Sequence, residues 1–440
     1  MTRFLGIDLS EGVKRRHLLA YFAAAFVSSS YAGALAILQP GLLQVMGVDQ
    51  AQQATLTGNL SAMQEVILIV LLGVVGALAD RYGRKPVYVF GLLMTSLGFA
   101  LYPMAESIPE LVVYRIIVAF GSAAMIGMMV TVIADYSRNS TRGKANGIQG
   151  LIATLGAFIP PALGALPKVF VDQGFDELAA QRLTFGVAAS LGVIGAAFAL
   201  VGLAPHVRGA SQQARESITT MLRKGIKASR DQGIALSYGA AFISRGDLAV
   251  TGAFMSLWLV QFGTSKLGMT PSEAMFELAV PRVLAVVSGA LVGSLLMGYV
   301  SDKVSRVRAV TLAAGLAALV YGSIFFVTDP TEDWVMALLF IMGIAEISAF
   351  VSSQALVGER ADPARRGAII GLFGVSGAVG ILIGTSGGGW LFATYGPSTP
   401  FVLFGILNGL VFLWSLFVRV RPVLDTMKPD TAWSAAQHIK

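Results

Sequence analysis

Apolar runs of roughly 20 residues alternate with short polar, charge-bearing stretches along the whole chain. A helix rising about 1.5 Å per residue needs about 20 apolar residues to cross the roughly 30 Å hydrocarbon layer of a bilayer. Twelve runs meet that length, near 18–39, 57–79, 86–104, 111–134, 146–166, 184–204, 233–262, 276–300, 309–328, 334–357, 368–392 and 400–418. Each is predicted to be a membrane-spanning helix. The first follows Lys14, Arg15 and Arg16, as a signal peptide would. Its apolar stretch exceeds a signal h-region and eleven more runs follow, so it is read as an uncleaved first helix.

Composition agrees and removes several classes. Of 440 residues, 55% are hydrophobic and 13% charged, against about 25% charged in soluble domains. No stretch could supply the polar shell of a cytosolic enzyme, and a disordered chain or disulfide scaffold is equally excluded. Cysteine is absent, which removes disulfides, thiolate metal sites and cysteine nucleophiles. His17, His206 and His438 fall outside the apolar runs, leaving no histidine metal cluster or triad within them. The chain is therefore not read as an enzyme, and no cofactor or metal is expected.

The net charge of +7 follows from topology rather than from nucleic-acid binding. Lys and Arg stay on the cytoplasmic side of short loops. Arg81, Arg84, Lys85, Arg138, Arg142, Lys144, Lys303, Arg306, Arg308, Arg360, Arg365 and Arg366 fall in alternate loops, while the opposite loops hold only Lys168, Arg182 and Lys266. Both termini are thus expected in the cytoplasm, in a plasma membrane protein (the inner membrane, if bacterial). The chain divides into a six-helix bundle over 1–204, a central loop over 205–232, and a second bundle with a short tail over 233–440. Within the loop, Ile218, Met221, Leu222 and Ile226 recur at helical spacing among Arg223, Lys224 and Lys227. That pattern fits an amphipathic helix on the inner leaflet or a solvated basic linker.

The two halves repeat. Arg142-Gly143 with Gly147 and Gly150 matches Arg366-Gly367 with Gly371 and Gly374 at an offset of 224, and the register continues through Gly156 with Gly380 and Gly164 with Gly388. Gly76 and Asp80 match Gly298 and Asp302 at an offset of 222. Two pseudo-symmetric six-helix bundles are the economical reading, making an all-α membrane protein.

The segment Gly76-Ala-Leu-Ala-Asp80-Arg81-Tyr-Gly83-Arg84-Lys85 resembles the loop 2–3 signature of the major facilitator superfamily, and Gly298 to Asp302 with Lys303 and Arg306 resembles its degenerate second copy. Arg115 with Gly121 resembles the second motif of that family. Gly147, Gly156, Pro161 and Gly164 resemble its antiporter-associated helix 5 motif, with Pro160 and Ala165 standing where glycines are usual. The resemblance implies twelve helices working by alternating access. It further implies that Asp80 faces the start of helix 11, near Gly367, and holds the outward-facing state together. Helices 1, 4, 7 and 10 would line the path.

Six ionisable residues lie well inside the runs: Glu65, Arg115, Arg245, Asp247, Arg282 and Glu346. Each costs roughly 2.5–3.5 kcal/mol on insertion scales, so such residues face a cavity or one another. Helical rise places Arg245, Asp247 and Glu346 near the midplane, roughly 18–21 Å from a span end, and Glu65, Arg115 and Arg282 roughly 6–12 Å from the outer ends. They are the expected substrate or proton pathway. The competing expectation is static pairing, Arg115 with Glu65 and Arg245 with Asp247 or Glu346. Gln39, Gln64, Tyr31, Tyr238, Ser256 and Trp258 could add polar or aromatic contacts. Met125, Met128 and Met129 read as packing rather than a soft-metal site.

The expected function is secondary active transport of a small organic solute by a functional monomer among membrane lipids. Proton coupling is expected, because no ATP-binding motif exists, with Glu346, Asp247 and Glu65 as carriers in that order. Three intramembrane arginines suit an organic anion, and the mostly apolar path suits an amphipathic compound. Export by antiport follows from the helix 5 motif alone. The alternatives are a lipid or lysolipid flippase of the same fold, a proton symporter for an organic anion, and a transport-inactive sensor.

Overall fold

Twelve helices long and apolar enough to cross a membrane run through the computed structural model, which describes residues 3–205, 218–362 and 365–419. In chain order, spans 1 to 6 are Arg15–Val45, Gln50–Tyr82, Arg84–Met104, Ile108–Tyr136, Arg142–Asp172 and Glu177–Gly202. Spans 7 to 12 are Gln232–Lys266, Pro271–Lys303, Arg306–Phe326, Asp333–Arg360, Arg366–Tyr395 and Thr399–Phe417. Each overlaps its predicted run, and most run further at both ends. Hydropathy discards polar end turns that still hydrogen-bond as helix. Span 2, for example, starts on Gln50 and the polar residues after it.

Polar caps stop the spans. Asp49, Asp176 and Asp231 accept backbone N–H groups at the starts of spans 2, 6 and 7, and Ser305 does so for span 9. His17, expected outside the first run, is buried in the first turn of span 1, where its Nδ1 accepts the Lys14 N–H at 3.2 Å. The predicted all-α chain also carries a small hairpin, β1 (Arg3–Phe4) with β2 (Ile7–Asp8). It is tied to the end of span 4, where Ser10 N–H donates to Tyr136 O at 3.0 Å and Arg138 N–H to Asp8 O at 3.0 Å.

Two spans break at mid-membrane. Span 1 is helical to Tyr31 and again from Ala34. The hydroxyls of Ser28, Ser29 and Ser30 turn back onto the carbonyls four residues earlier, a pattern that bends helices. Span 5 stops at Gly156 and resumes at Ile159, because Pro160 and Pro161 lack the N–H groups that would continue the ladder. Gly156 lies against span 1, where a Cβ would come within 2.8 Å of Phe26 O.

The halves touch at the end away from the basic loops. Gln261 Nε2 donates to Gln53 Oε1 at 3.0 Å and to Gln50 O at 3.1 Å, and Ser272 Oγ donates to Glu177 Oε2 at 2.5 Å. Spans 2 and 11 meet backbone to backbone there: a Cβ on Gly58 would lie 2.3 Å from Thr385 O, and one on Gly389 would lie 2.6 Å from Ala54 O. Toward the basic end, glycines of spans 2, 5, 8 and 11 face open space instead. A Cβ added to Gly73, Gly147, Gly150, Gly298, Gly367 or Gly374 would meet nothing within 4 Å among the described residues. The bundle is therefore sealed at one end and splayed at the other.

The Ile218–Ala228 helix forms as one of the two expectations had it. It packs on span 11 instead of lying free, since a Cβ on Gly225 would come within 2.9 Å of Ala368 O. Tyr238 Oη donates to Gly225 O at 3.3 Å. His206, His438 and the tail over 421–440 lie outside the described residues.

Candidate functional site

A cavity of about 190 Å³ lies between the halves, walled by spans 1, 5, 7, 8 and 10. The two helix breaks face it: Ala32 and Gly33 from span 1, Ala157 and Pro160 from span 5. Loss of regular helix exposes backbone, and a membrane interior tolerates that only within protein or against a cavity. Most of the wall is apolar. Ser29, Thr251 and Ser256 bring hydroxyls, and Glu346 brings the cavity's one ionisable side chain.

Glu346 is held by uncharged donors. Tyr321 Oη of span 9 donates to Glu346 Oε2 at 2.9 Å, and Thr251 Oγ1 of span 7 lies 2.7 Å from the same Tyr321 hydroxyl. Since the Tyr321 proton is committed to Glu346, Thr251 is the donor in the second bond. Asp247, one turn before Thr251 and fully buried, points toward span 12. There Asn408 Nδ2 donates to Asp247 Oδ2 at 3.1 Å, while the Leu248 N–H donates to Oδ1 at 2.7 Å. The two carboxylates are within electrostatic range of each other.

None of the expected static pairs forms among the described residues. Arg245 does not meet Asp247, because side chains two positions apart point away from each other on a helix. It lies over Phe350, 5.3 Å from the ring centroid, with Glu65 of the other half in electrostatic range. Glu65 itself is deeper than predicted. Span 2 begins at Gln50, which puts Glu65 about 22 Å from that end.

Arg115 does not meet Glu65 either. Its Nη1 donates to Gln39 Oε1 at 3.1 Å, and Tyr102 Oη donates to the same oxygen at 2.7 Å. Gln39 Nε2 then donates to Thr57 Oγ1 at 2.8 Å. This network ties spans 1, 2, 3 and 4 together inside the first half, away from the cavity wall. Arg282, expected in the path, instead pins a loop. Its Nε donates to Pro330 O at 2.7 Å and its Nη1 to Leu278 O at 3.2 Å, beside Asp329. Two positions of the helix 5 motif also pack: a Cβ on Gly164 would meet Ile37 Cγ2 at 2.8 Å, and Pro161 is buried.

The basic end shows the repeat in three dimensions. Arg84 bridges Asp80, at 2.9 Å, to Asp135 at the end of span 4, at 2.8 Å, and donates to Ala79 O at 2.8 Å. Arg306 bridges Asp302, at 3.2 Å, to Glu359 at the end of span 10, at 3.4 Å, and donates to Ser301 O. Arg142 reaches Ala134 O and Arg366 reaches Gly358 O in the same way. Arg81 lies over Tyr82, and Lys85 sits at the start of span 3. In this form the Asp80 carboxylate takes Arg84 as one partner.

Sequence reasoning missed Tyr321, Asn408 and Thr251. Charge was the guiding signal, and the predicted runs 309–328 and 400–418 hold none. Single hydrogen-bonding groups in otherwise apolar helices were the available signal. Of the uncharged candidates, Ser256 reaches the cavity. Tyr31 donates to Ala188 O at 2.6 Å and Trp258 packs near Phe401, so both join helices within a half. Met125 and Met128 are core residues.

A bundle sealed at one end, splayed at the other and enclosing a cavity between two repeated halves defines a membrane carrier. The Major Facilitator Superfamily model matches residues 18–288 and 237–435, and the chain belongs to that family. Magnetosome protein MamH of Paramagnetospirillum magneticum is 24% identical over 423 residues, covering 93% of this chain and 94% of the relative. Multidrug resistance protein MdtH of Klebsiella pneumoniae is 24% identical over 403 residues, covering 89% and 92%. Among solved structures, the nucleoside transporter NupG superposes with a TM-score of 0.70 at 17% identity, covering 91% of this chain and 98% of that one. A bacterial homologue of the human lysosomal transporter Spinster, in an inward-facing and unoccupied conformation, gives 0.70 at 18% identity, covering 93% and 100%.

Proposed function

We propose that this protein is a proton-coupled secondary transporter that exports a small organic solute by antiport. The observation that carries the reading is the cavity between the halves with Glu346 on its wall. A mid-membrane carboxylate held by the Tyr321 hydroxyl, itself backed by Thr251, with no cation against it among the described residues, can take and release a proton as its surroundings change. Exchange of the sealed and splayed ends would change those surroundings in each cycle.

With the basic end on the cytoplasmic side, the splayed form is inward-facing. The similarity to bacterial multidrug resistance proteins supports export. The test is accumulation by proteoliposomes under an imposed pH gradient, with substrate found first by thermal-shift screening. Wild-type protein should accumulate substrate only with the gradient, and Glu346→Gln should keep exchange while losing acceleration by the gradient. Full proton-driven accumulation by Glu346→Gln overturns the assignment and moves it to Asp247.

A further inference from the structure

The guanidinium of Arg245 belongs to neither the Glu346 network nor any ion pair. It has no hydrogen-bond partner among the described residues, and it lies over the Phe350 ring, 5.3 Å from the centroid. It forms the head of a second cavity, about 350 Å³, between spans 7, 10 and 11, with Phe350, Gln354, Phe373 and Gly374 in the walls. This cavity lies toward the splayed end, since Phe350 follows Glu346 by one helical turn in that direction.

The site is shaped around the arginine. A Cβ on Gly377 would come within 2.8 Å of Arg245 Cγ, so glycine at that position gives the side chain room to lie against span 11. Gly374, one turn nearer the mouth, has open space before it. A guanidinium carries five N–H donors in a planar fork. Leaving that fork unfilled at membrane depth is costly, and the groups that fill it bidentately are carboxylate and phosphate. Phe350 and Phe373 offer apolar faces beside it, and Gln354 adds an amide. The volume lies at the lower end of pockets that hold drug-sized molecules, roughly 300–1,000 Å³.

A second observation points the same way. Glu65, on span 2 of the opposite half, is within electrostatic range of Arg245 without closing an ion pair on it. A carboxylate of the protein thus stands near the position an incoming anion would take.

We infer that the Arg245 cavity receives the head group of a small amphipathic organic anion, with the apolar body between Phe350 and Phe373, and that Glu65 competes with that head for the guanidinium. The inference rests on the transporter reading and names the substrate class of its path. A carboxylate or monophosphate on an aromatic or short aliphatic body fits. Specificity arises from the fork, because a neutral analogue leaves the donors empty.

The experiment is equilibrium binding to purified full-length protein in nanodiscs of zwitterionic lipid, read by tryptophan fluorescence. Naphthylacetate, naphthylethanol and naphthylmethylammonium share one ring and differ in head charge. Naphthylacetate should bind at least ~10-fold tighter than the alcohol, and the ammonium weakest. Arg245→Gln should bring naphthylacetate to the affinity of the alcohol, which itself stays unchanged and so reports that the variant is folded. Glu65→Gln should tighten naphthylacetate alone, by about threefold or more.

Dodecyl phosphate in the same assay separates two sources of the anion. Arg245-dependent binding of dodecyl phosphate supports a lipid-like source, and Arg245-dependent binding of naphthylacetate supports a dissolved one. Equal affinities for all three heads in the wild-type protein overturn the inference without recourse to any variant. So does naphthylacetate affinity unchanged in Arg245→Gln. Cysteine accessibility at the two ends, measured on the same preparation, reads the transporter proposal separately. Switching without head-group preference overturns this inference alone, and preference without switching overturns the transport reading alone.

Discussion

The two halves are nearly the same machine at the basic end and quite different ones at mid-membrane. At that end Asp80, Arg84 and Asp135 are answered by Asp302, Arg306 and Glu359, down to the carbonyl to which each arginine donates. At mid-membrane the first half buries a cation among neutral acceptors, Arg115 on Gln39. The second half buries two carboxylates among neutral donors, Glu346 under Tyr321 and Asp247 under Asn408. The repeat is thus kept in the ion-pair networks of the basic end and abandoned among the buried polar groups at mid-membrane. On the transport reading proposed above, the first half serves as wall except at Glu65, and the second half carries Glu346 and Asp247.

The largest expected effect tests the acidic half. Tyr321→Phe removes the hydroxyl that holds Glu346, and a hydrogen bond to a charged group is worth about 1.5–3 kcal/mol. Gradient-driven transport should fall by about tenfold or more, and its pH profile should move. An unchanged profile at normal expression would show that the Glu346 network is only structural.

Arg115→Ala addresses the other half. Gln39 Oε1 would lose its cationic donor and keep only Tyr102, a hydrogen bond to a charged group being worth about 1.5–3 kcal/mol. The melting temperature should drop by several degrees while the pH profile of the surviving protein stays put. Were transport lost at normal stability, Arg115 would belong to the path after all, and the division between wall and chemistry would fail.

Matched substitutions at the basic end should have smaller and equal effects. Arg84→Gln and Arg306→Gln each dismantle a partly exposed network, for which about 1 kcal/mol is a reasonable ceiling. Conversion between the two forms, followed by cysteine labelling at both mouths, should change severalfold in each variant. Asp80→Asn should shift labelling toward the inward-open pattern, as expected of a contact that serves the other state. A tenfold difference between the two arginine variants would break the symmetry claimed here.

The smallest effect lies at the start of span 7. Asp231 pairs with Arg360 and caps Gly233 and Ile234. Burial acts to raise its carboxyl, but the guanidinium and the two backbone N–H groups outweigh it and hold the group below its ordinary 3.8. A carboxyl depressed by folding stabilises the protein above its unfolded value, and that contribution disappears as pH falls through the folded value. Asp231→Asn should therefore melt slightly below wild type at neutral pH, and the gap should narrow as pH falls below about 4. A gap that persists at low pH would assign the effect to packing instead.

Twelve spans, the doubled architecture and the basic-end motif could be read without coordinates because each is written in local order. A span is a run of about 20 apolar residues, and a repeat is a constant offset. Even Arg84 and Arg306 could be paired across the halves from spacing alone. Partners at mid-membrane could not. Arg245 and Asp247 are two residues apart yet face a cavity and span 12 respectively, and Glu65 was placed too shallow because polar Gln50, Gln52 and Gln53 hid the start of its helix. Asn408 meets Asp247 across a separation of 161 residues and Tyr102 meets Gln39 across 63. Such meetings depend on how each helix is rotated about its own axis, which is set by packing against neighbours through close contacts like Gly58 on Thr385. Hydropathy fixes that a helix crosses the membrane. Its rotation, and with it the choice between a buried pair, a cavity wall and an open guanidinium, is decided only when twelve helices pack at once.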